Sequence, residues 1–115
     1  MKKVLIIDDA EIARLSSKSI LEKYGFEVVG VASNRIDAVE LYKELKPDIV
    51  LMDIAVSESK GVEMLRRIKD IDRNARVIFI SEIEHAHMIN EAILAGAIAF
   101  IISPYKENEL LQTSI

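Results

Sequence analysis

Cysteine is absent from the 115 residues of this chain, and the chain also lacks long hydrophobic runs and an excess of positive charge. Without cysteine, neither a disulfide framework nor thiol chemistry is available, which is typical of a reducing, intracellular setting. No apolar run approaches the roughly 18 residues of a membrane span. The formal net charge of −4 argues against direct binding of nucleic acid by the chain as a whole.

The N-terminus, MKKVLIIDDAE, has the basic start of a secretory signal for a few residues. Its apolar run ends after four residues at Asp8 and Asp9, which is far too short for the core of such a signal. The length suffices for one hydrophobic core and is too small for two domains. We therefore expect one soluble, cytoplasmic domain over residues 1–115, with neither a membrane nor a nucleic acid as its direct partner.

Short apolar segments alternate with segments of helical periodicity along the whole chain. Most of the apolar segments are apolar at every position, which is typical of strands in a parallel sheet covered on both faces. The predicted strands are residues 4–7, 28–31, 49–52, 77–80 and 98–102. The predicted helices are residues 11–24, 35–45, 62–71, 86–95 and 106–111. The alternation predicts an α/β fold, with a five-stranded parallel sheet and five helices on its two faces.

Polar side chains follow four of these strands. Asp8 and Asp9 follow the first strand, Asp53 the third, Ser81 the fourth and Ser103 the fifth. Because open α/β sheets bind ligands at the carboxyl ends of their strands, we expect three carboxylates and a hydroxyl to converge at one edge. An Asp-Asp pair alone is usually a helix cap with a first-turn acid, so the prediction depends on the combination.

The three carboxylates predict a site for a hard divalent cation. They repel one another unless a cation relieves the repulsion, and a cluster of oxygen ligands without histidine or cysteine suits Mg²⁺. An aspartate beside Mg²⁺ can act as a nucleophile towards phosphorus and form an aspartyl phosphate. The metal would neutralise the charge that develops on the transferring group.

From end to end, the chain resembles a response-regulator receiver domain of the CheY-like type. The resemblance rests on VLIIDD at 4–9, KPDIVLMDI at 46–54, Gly61 eight positions past Asp53, Ser81, Gly96-Ala97, Phe100 and Pro104. It implies a flavodoxin-like sheet with the strand order 2-1-3-4-5. It also implies a signalling domain rather than an enzyme.

The resemblance implies a role for each residue of the acidic cluster. Asp53 matches the phosphoacceptor of the family and, together with Asp9, a direct ligand of Mg²⁺. Asp8 helps to hold the ion, commonly through water, and the backbone carbonyl of Ala55 matches the third protein ligand. The implied phosphoryl donor is a histidine kinase or a phosphotransfer protein.

The resemblance also implies a switch. Ser81 matches the hydroxyl that forms a hydrogen bond with the phosphoryl group, and Phe100 matches the aromatic side chain whose rotamer reports that movement. The surface of the fourth helix, fifth strand and fifth helix would then change for a downstream effector protein. Helices 4 and 5 would also be the interface of a homodimer, if one forms.

Several positions depart from the family pattern. Ser103 stands where the family has a lysine that pairs with the phosphoryl group or the acceptor. Glu82 follows the switch hydroxyl, where a small residue is usual, and Lys60 precedes Gly61 in place of Asp or Asn. Val56 and Ser57 replace a Met-Pro pair after the acceptor. We expect the loss of the lysine to weaken phosphoryl stabilisation or its coupling to the switch without abolishing Mg²⁺ binding.

Other basic residues could compensate for Ser103. Lys60 and Lys106 are near enough in sequence to reach the pocket, although each is more simply a solvated surface residue. His85 and His87 lie two positions apart on the predicted fourth helix and so cannot face the same way. We expect both histidines to be surface residues rather than a pair of metal ligands.

Two functions remain open at this stage. The first is a phosphorylatable switch of a two-component phosphorelay, favoured by the acids and by Ser81. The second is a pseudo-receiver, an interaction module that no longer couples phosphorylation to output, favoured by Ser103 and Glu82. A flavin-binding relative is remote, because Asp8 and Asp9 would repel a phosphate after the first strand.

Overall fold

A computed structural model describes residues 2–56 and 60–114. Its strands are β1 (Lys3–Ile7), β2 (Glu27–Ala32), β3 (Ile49–Asp53), β4 (Val77–Glu82) and β5 (Ala99–Ser103). They form one parallel sheet in the order β2-β1-β3-β4-β5. Each predicted strand agrees with an observed one to within two residues at either end, and the predicted α/β fold and strand order are confirmed.

The described residues contain five α-helices. They are α1 (Glu11–Lys23), α2 (Arg35–Leu45), α3 (Gly61–Ile71), α4 (Ile89–Leu94) and α5 (Glu107–Ser114). The single fourth helix predicted over residues 86–95 is wrong in its first part, because a 3₁₀ helix (Ile83–Met88) precedes α4. Glu82 gives this segment no side-chain cap, and 3₁₀ turns are frequent at the N-termini of α-helices.

The core consists of two apolar layers, one on each face of the sheet. Alternate residues of β1 illustrate the division, since Leu5 and Ile7 pack into one layer and Val4 and Ile6 into the other. Helices α2, α3 and α4 contribute buried residues to the first layer, whereas α1 and α5 contribute to the second. This double coverage explains why the strands are apolar at nearly every position.

The start of α3 is held close to the end of β3 by Gly61. The Gly61 N–H donates a hydrogen bond to the Ile54 carbonyl oxygen at 3.2 Å. A Cβ atom at position 61 would lie 2.5 Å from that same oxygen, so only glycine allows the approach. Because Ile54 follows Asp53, this contact ties α3 to the backbone next to the acidic cluster.

A search for membrane-spanning helices among residues 2–56 and 60–114 found none with the length and apolar character to cross a bilayer.

Candidate functional site

The acidic cluster consists of Asp8, Asp9 and Asp53. Strands β1 and β3 are neighbours with Ile7 opposite Met52, so the residues that follow these positions emerge side by side. One carboxylate oxygen of each aspartate lies within 4.8 Å of the others. Asp8 is only 7% exposed, Asp53 is half-buried and Asp9 is exposed. The structure therefore brings together the three acids that the sequence placed at one sheet edge.

Asp8 is the most deeply buried acid of the cluster. Its Oδ1 accepts a hydrogen bond from the Ala10 N–H at 2.9 Å, and its carbonyl oxygen accepts one from Arg14 Nη1 at 2.7 Å. Burial raises the pKa of Asp8 to about 6, and the charges of Asp53 and Asp9 act in the same direction. The Ala10 hydrogen bond and the Arg14 charge only partly oppose this rise. Negative charge at Asp8 is therefore costly without a further cation.

Asp53 ends β3 with its carboxylate turned towards the following backbone. Its Oδ1 accepts a hydrogen bond from the Ala55 N–H at 3.2 Å. Burial raises the pKa of Asp53, this hydrogen bond opposes the rise, the charge of Asp9 adds to it, and His85 opposes it. Two of the three acids are thus held in surroundings that make their ionised forms more costly than in water.

A pocket of about 80 Å³ opens between the strand ends. Its lining consists of Asp8, Ala10, Ala13, Asp53, Ile80, Glu82 and Ser103. Glu82 and Ser103 are partners in the β4–β5 ladder, so a carboxylate and a hydroxyl stand together on this side. Lys60 and Lys106 are both exposed, and neither is among the lining residues. Within the described part of the chain, neither lysine therefore takes the place of the family's lysine in the pocket.

The predicted switch residues lie on the two strands beyond the acids. Ser81 is fully buried, and its hydroxyl donates a hydrogen bond to the Glu82 carbonyl oxygen at 2.9 Å. Phe100 is 44% exposed on β5. The peptide bond between Ser103 and Pro104 is cis. In this arrangement the Ser81 hydroxyl donates its hydrogen bond to the backbone of the next residue and not into the pocket.

The segment after Asp53 carries further predicted positions. Ala55 is half-buried in a turn, and Val56 is fully buried in the core. Lys60 is exposed at the start of α3. Ser57, which departs from the family pattern, lies outside the described residues.

His85 is the residue near the site that sequence reasoning missed. We expected a surface side chain, but His85 is half-buried, and its Nδ1 is buried with no hydrogen-bond partner among the described residues. Its charge lowers the pKa of Asp53, which places it within electrostatic reach of the acceptor. His87 is exposed, as expected, with Nδ1 3.1 Å from the Glu84 carbonyl oxygen. The sequence spacing of the two histidines did not predict their different burial, because that burial depends on the 3₁₀ helix.

Residues 4–114 match the family described as the response regulator receiver domain. The chain belongs to this family. The chemotaxis protein CheY of Thermotoga maritima is 46% identical over 111 residues, which cover 96% of this chain and 92% of that protein. The chemotaxis protein CheY of Bacillus subtilis is 46% identical over 110 residues, with the same coverage of both chains.

Solved structures agree with the family assignment. CheY in the CheX-CheY-BeF3-Mg complex of Borrelia burgdorferi superposes with a TM-score of 0.91 at 31% identity, covering 98% of this chain and 86% of that one. The predicted resemblance to CheY-like receiver domains is confirmed. Receiver domains are signalling domains of two-component systems, and phosphorylation and Mg²⁺ binding are general properties of the family.

Proposed function

We propose that this receiver domain accepts a phosphoryl group on Asp53, with Mg²⁺ held by the acidic cluster, and changes a protein-binding surface in response. The observation that carries the proposal is the approach of the Asp8, Asp9 and Asp53 carboxylate oxygens to within 4.8 Å of one another at the pocket. Such an arrangement is costly unless a cation or a function requires it.

The donor set fits Mg²⁺. All three side chains offer only oxygen, and burial raises the pKa of both Asp8 and Asp53, so a bound cation would stabilise their ionised forms. Asp9 and Asp53 would bind the ion directly, Asp8 through water, and Ala55 through its carbonyl oxygen. When bound, Mg²⁺ would offset the negative charge on the transferring phosphoryl group. The Mg²⁺ in the Borrelia CheY complex supports this assignment.

Asp53 would act as the nucleophile. One of its carboxylate oxygens attacks the phosphorus atom of a phosphohistidine on a histidine kinase or phosphotransfer protein. An O–P bond forms while the P–N bond breaks, and the electron pair of that bond stays on the imidazole, which takes up a proton. With a small phosphodonor, the P–O bond to its leaving group breaks instead.

The new charge would then act on the switch. Ser81 would exchange its hydrogen bond with the Glu82 carbonyl for one with a phosphoryl oxygen. The exposed Phe100 would move inward behind it. The surface formed by α4, β5 and α5, where Leu94 is 89% exposed and Ile98 is also exposed, would meet the downstream effector. A homodimer through α4 and α5 would use the same surface.

A second candidate function is that of a pseudo-receiver. Ser103 and Glu82 favour it, because they give one side of the pocket a hydroxyl and a carboxylate instead of a lysine. Such a module would keep the fold and the interaction surface but would not couple phosphorylation to output.

Intact-protein mass spectrometry tests the phosphorylation step on which the first function depends. The protein is incubated with acetyl phosphate and Mg²⁺, with Asp53→Asn as the acceptor variant and Asp70→Asn, an exposed aspartate of α3, as the matched control. The switch predicts a gain of one phosphoryl group in the wild type and in Asp70→Asn but none in Asp53→Asn. No gain at any Mg²⁺ concentration would favour the pseudo-receiver.

A further inference from the structure

A second group of metal-binding side chains lies beside the acidic cluster. Glu82 is the last residue of β4, while Glu84 and His85 belong to the 3₁₀ helix that follows. One potential ligand atom of each residue lies within 4.8 Å of the other two. Both carboxylates are exposed and the imidazole is half-buried, so an ion could enter from solvent and find one ligand already held in the protein.

The buried Nδ1 of His85 is a second observation at this group of side chains. A buried polar atom without a hydrogen bond costs roughly 1–3 kcal/mol, and proteins seldom leave one unpaired without a reason. Among the described residues, this atom is the buried side-chain nitrogen or oxygen that lacks a partner. His87 shows the contrast, because its Nδ1 is engaged with the Glu84 carbonyl oxygen.

The two glutamates interact with each other through their side chains. A hydrogen bond between their side chains raises the pKa of Glu82 and lowers the pKa of Glu84, so the two carboxylates lie close together. The charge of Glu84 raises the pKa of Glu82 further, and Asp53 adds a smaller effect. A divalent cation bound between the two carboxylates would offset both charges.

We propose that Glu82, Glu84 and His85 form a second divalent-cation site, suited to a borderline ion such as Zn²⁺ rather than to Mg²⁺. Two carboxylates and one imidazole, with water completing the coordination, match the ligands that Zn²⁺ accepts. Mg²⁺ strongly prefers oxygen and belongs to the acidic cluster. Tetrahedral Zn²⁺ needs ligand atoms somewhat closer than 4.8 Å, which the exposed glutamates can reach by rotamer changes.

The position of the site gives it a consequence for the proposed function. Glu82 lines the same pocket as Asp53 and Ser103. A cation on Glu82 would offset negative charge on the side of the pocket where the family has a lysine. The binding of Zn²⁺ itself does not depend on phosphorylation, so the two proposals can fail separately.

Isothermal titration of ZnCl₂ into the full chain, in saturating Mg²⁺, tests the site. We expect one Zn²⁺ per chain, and we expect His85→Asn and Glu84→Gln each to weaken its affinity by at least about tenfold. His87→Asn is the matched control and should bind as the wild type does, and Asp53→Asn should also retain binding. Circular dichroism of each variant verifies the fold.

Two results would overturn the proposal. Equal affinity in His85→Asn would show that the imidazole is not a ligand, whatever the other variants do. Loss of binding in Asp53→Asn would place the Zn²⁺ in the acidic cluster instead. The ring-proton signals of the two histidines give a second readout, because Zn²⁺ should shift those of His85 while leaving those of His87 in place. Shifts of His87 alone would contradict the site.

Discussion

Asp8 and Asp9 are adjacent in sequence and yet meet opposite surroundings. Asp8 turns into the protein and is buried, whereas Asp9 stays exposed at the mouth of the cluster. At the scale of single residues, function at this site depends on such differences in burial and in neighbouring charge.

The first prediction concerns the pH dependence of the metal-free protein. The pKa of Asp8 rises from 3.8 when unfolded to about 6 when folded, so the folded state binds the proton more tightly. The resulting stabilisation is fully present below pH 3.8 and is lost as pH rises through about 6. It amounts to roughly 2–3 kcal/mol, at about 1.4 kcal/mol per pKa unit. Urea unfolding in EDTA between these pH values measures it.

Asp8→Asn is the control for this pH effect. The amide cannot titrate, so the variant should lose most of the fall in stability over the same pH range. If the free energy of unfolding of Asp8→Asn depended on pH as that of the wild type does, other groups would cause the pH dependence. Ionisation of Asp8 would then not destabilise the folded protein.

The second prediction concerns the missing lysine. In Ser103→Lys, an ammonium group would enter the pocket beside Asp53 and Glu82. A charge-assisted hydrogen bond contributes roughly 1.5–3 kcal/mol, so the phosphorylated fraction at a fixed dose of acetyl phosphate should rise. Ser103→Met supplies the length without the charge and should show no such rise. An equal effect of both substitutions would rule out an electrostatic cause.

The acidic residues could be predicted from the sequence because they follow strands directly. Strand ends of a parallel sheet meet at one edge whatever the detailed packing, so Asp8, Asp9 and Asp53 had to converge once the strands were recognised. His85 could not be found in this way. Its burial depends on the turn of a 3₁₀ helix that replaces the expected α-helical start.

At the scale of elements, the contact between β3 and α3 fixes the backbone next to the acceptor. The third prediction is that Gly61→Ala destabilises the protein by about 1–3 kcal/mol, because its Cβ would collide with the Ile54 carbonyl. Moving that carbonyl would also disturb Asp53 and lower the extent of phosphorylation. Chemical unfolding and the intact-mass assay measure the two effects.

Gly30→Ala is the matched comparison in β2. A Cβ at position 30 would meet the end of the Leu45 side chain at 2.8 Å, and a flexible side chain can move more readily than backbone. We therefore expect a smaller loss of stability and no effect on phosphorylation. A larger loss in Gly30→Ala than in Gly61→Ala would contradict the role given to the Ile54 contact.

The element boundaries show what periodicity predicts well. The predicted α2 agrees at both ends, and Asn34 accepts the Asp37 N–H at 2.9 Å as its cap. The α4 segment was wrong at its start, where Glu82 offers no cap and tighter turns form. A side-chain cap is not the whole explanation, since α1 begins at Glu11 as predicted although Ala10 gives it no side-chain cap.

At the scale of the whole molecule, the parallel sheet followed from strands that are apolar on both faces. The strand order did not follow from the residues alone, since several orders satisfy the same pattern, and it came from the family resemblance. The sheet is covered by an apolar layer on each face. The stability gained from these two layers can offset the cost of the clustered negative charge at the edge of the sheet.

The fourth prediction is that Mg²⁺ stabilises the whole domain. Because the acidic cluster concentrates negative charge in the metal-free state, binding of an ion only to the folded protein should raise the melting temperature. A melt in EDTA compared with one in saturating Mg²⁺ measures the shift, which should shrink in Asp9→Asn. A melting temperature indifferent to Mg²⁺ would contradict the assigned metal site.

The central claim is that Asp53 carries the phosphoryl group. Reduction with borohydride converts an aspartyl phosphate to homoserine, and peptide mass mapping then locates the modified residue. After treatment with acetyl phosphate and Mg²⁺, we predict homoserine at position 53, and none when EDTA replaces Mg²⁺. Homoserine at another aspartate, or none under any condition, would contradict the account.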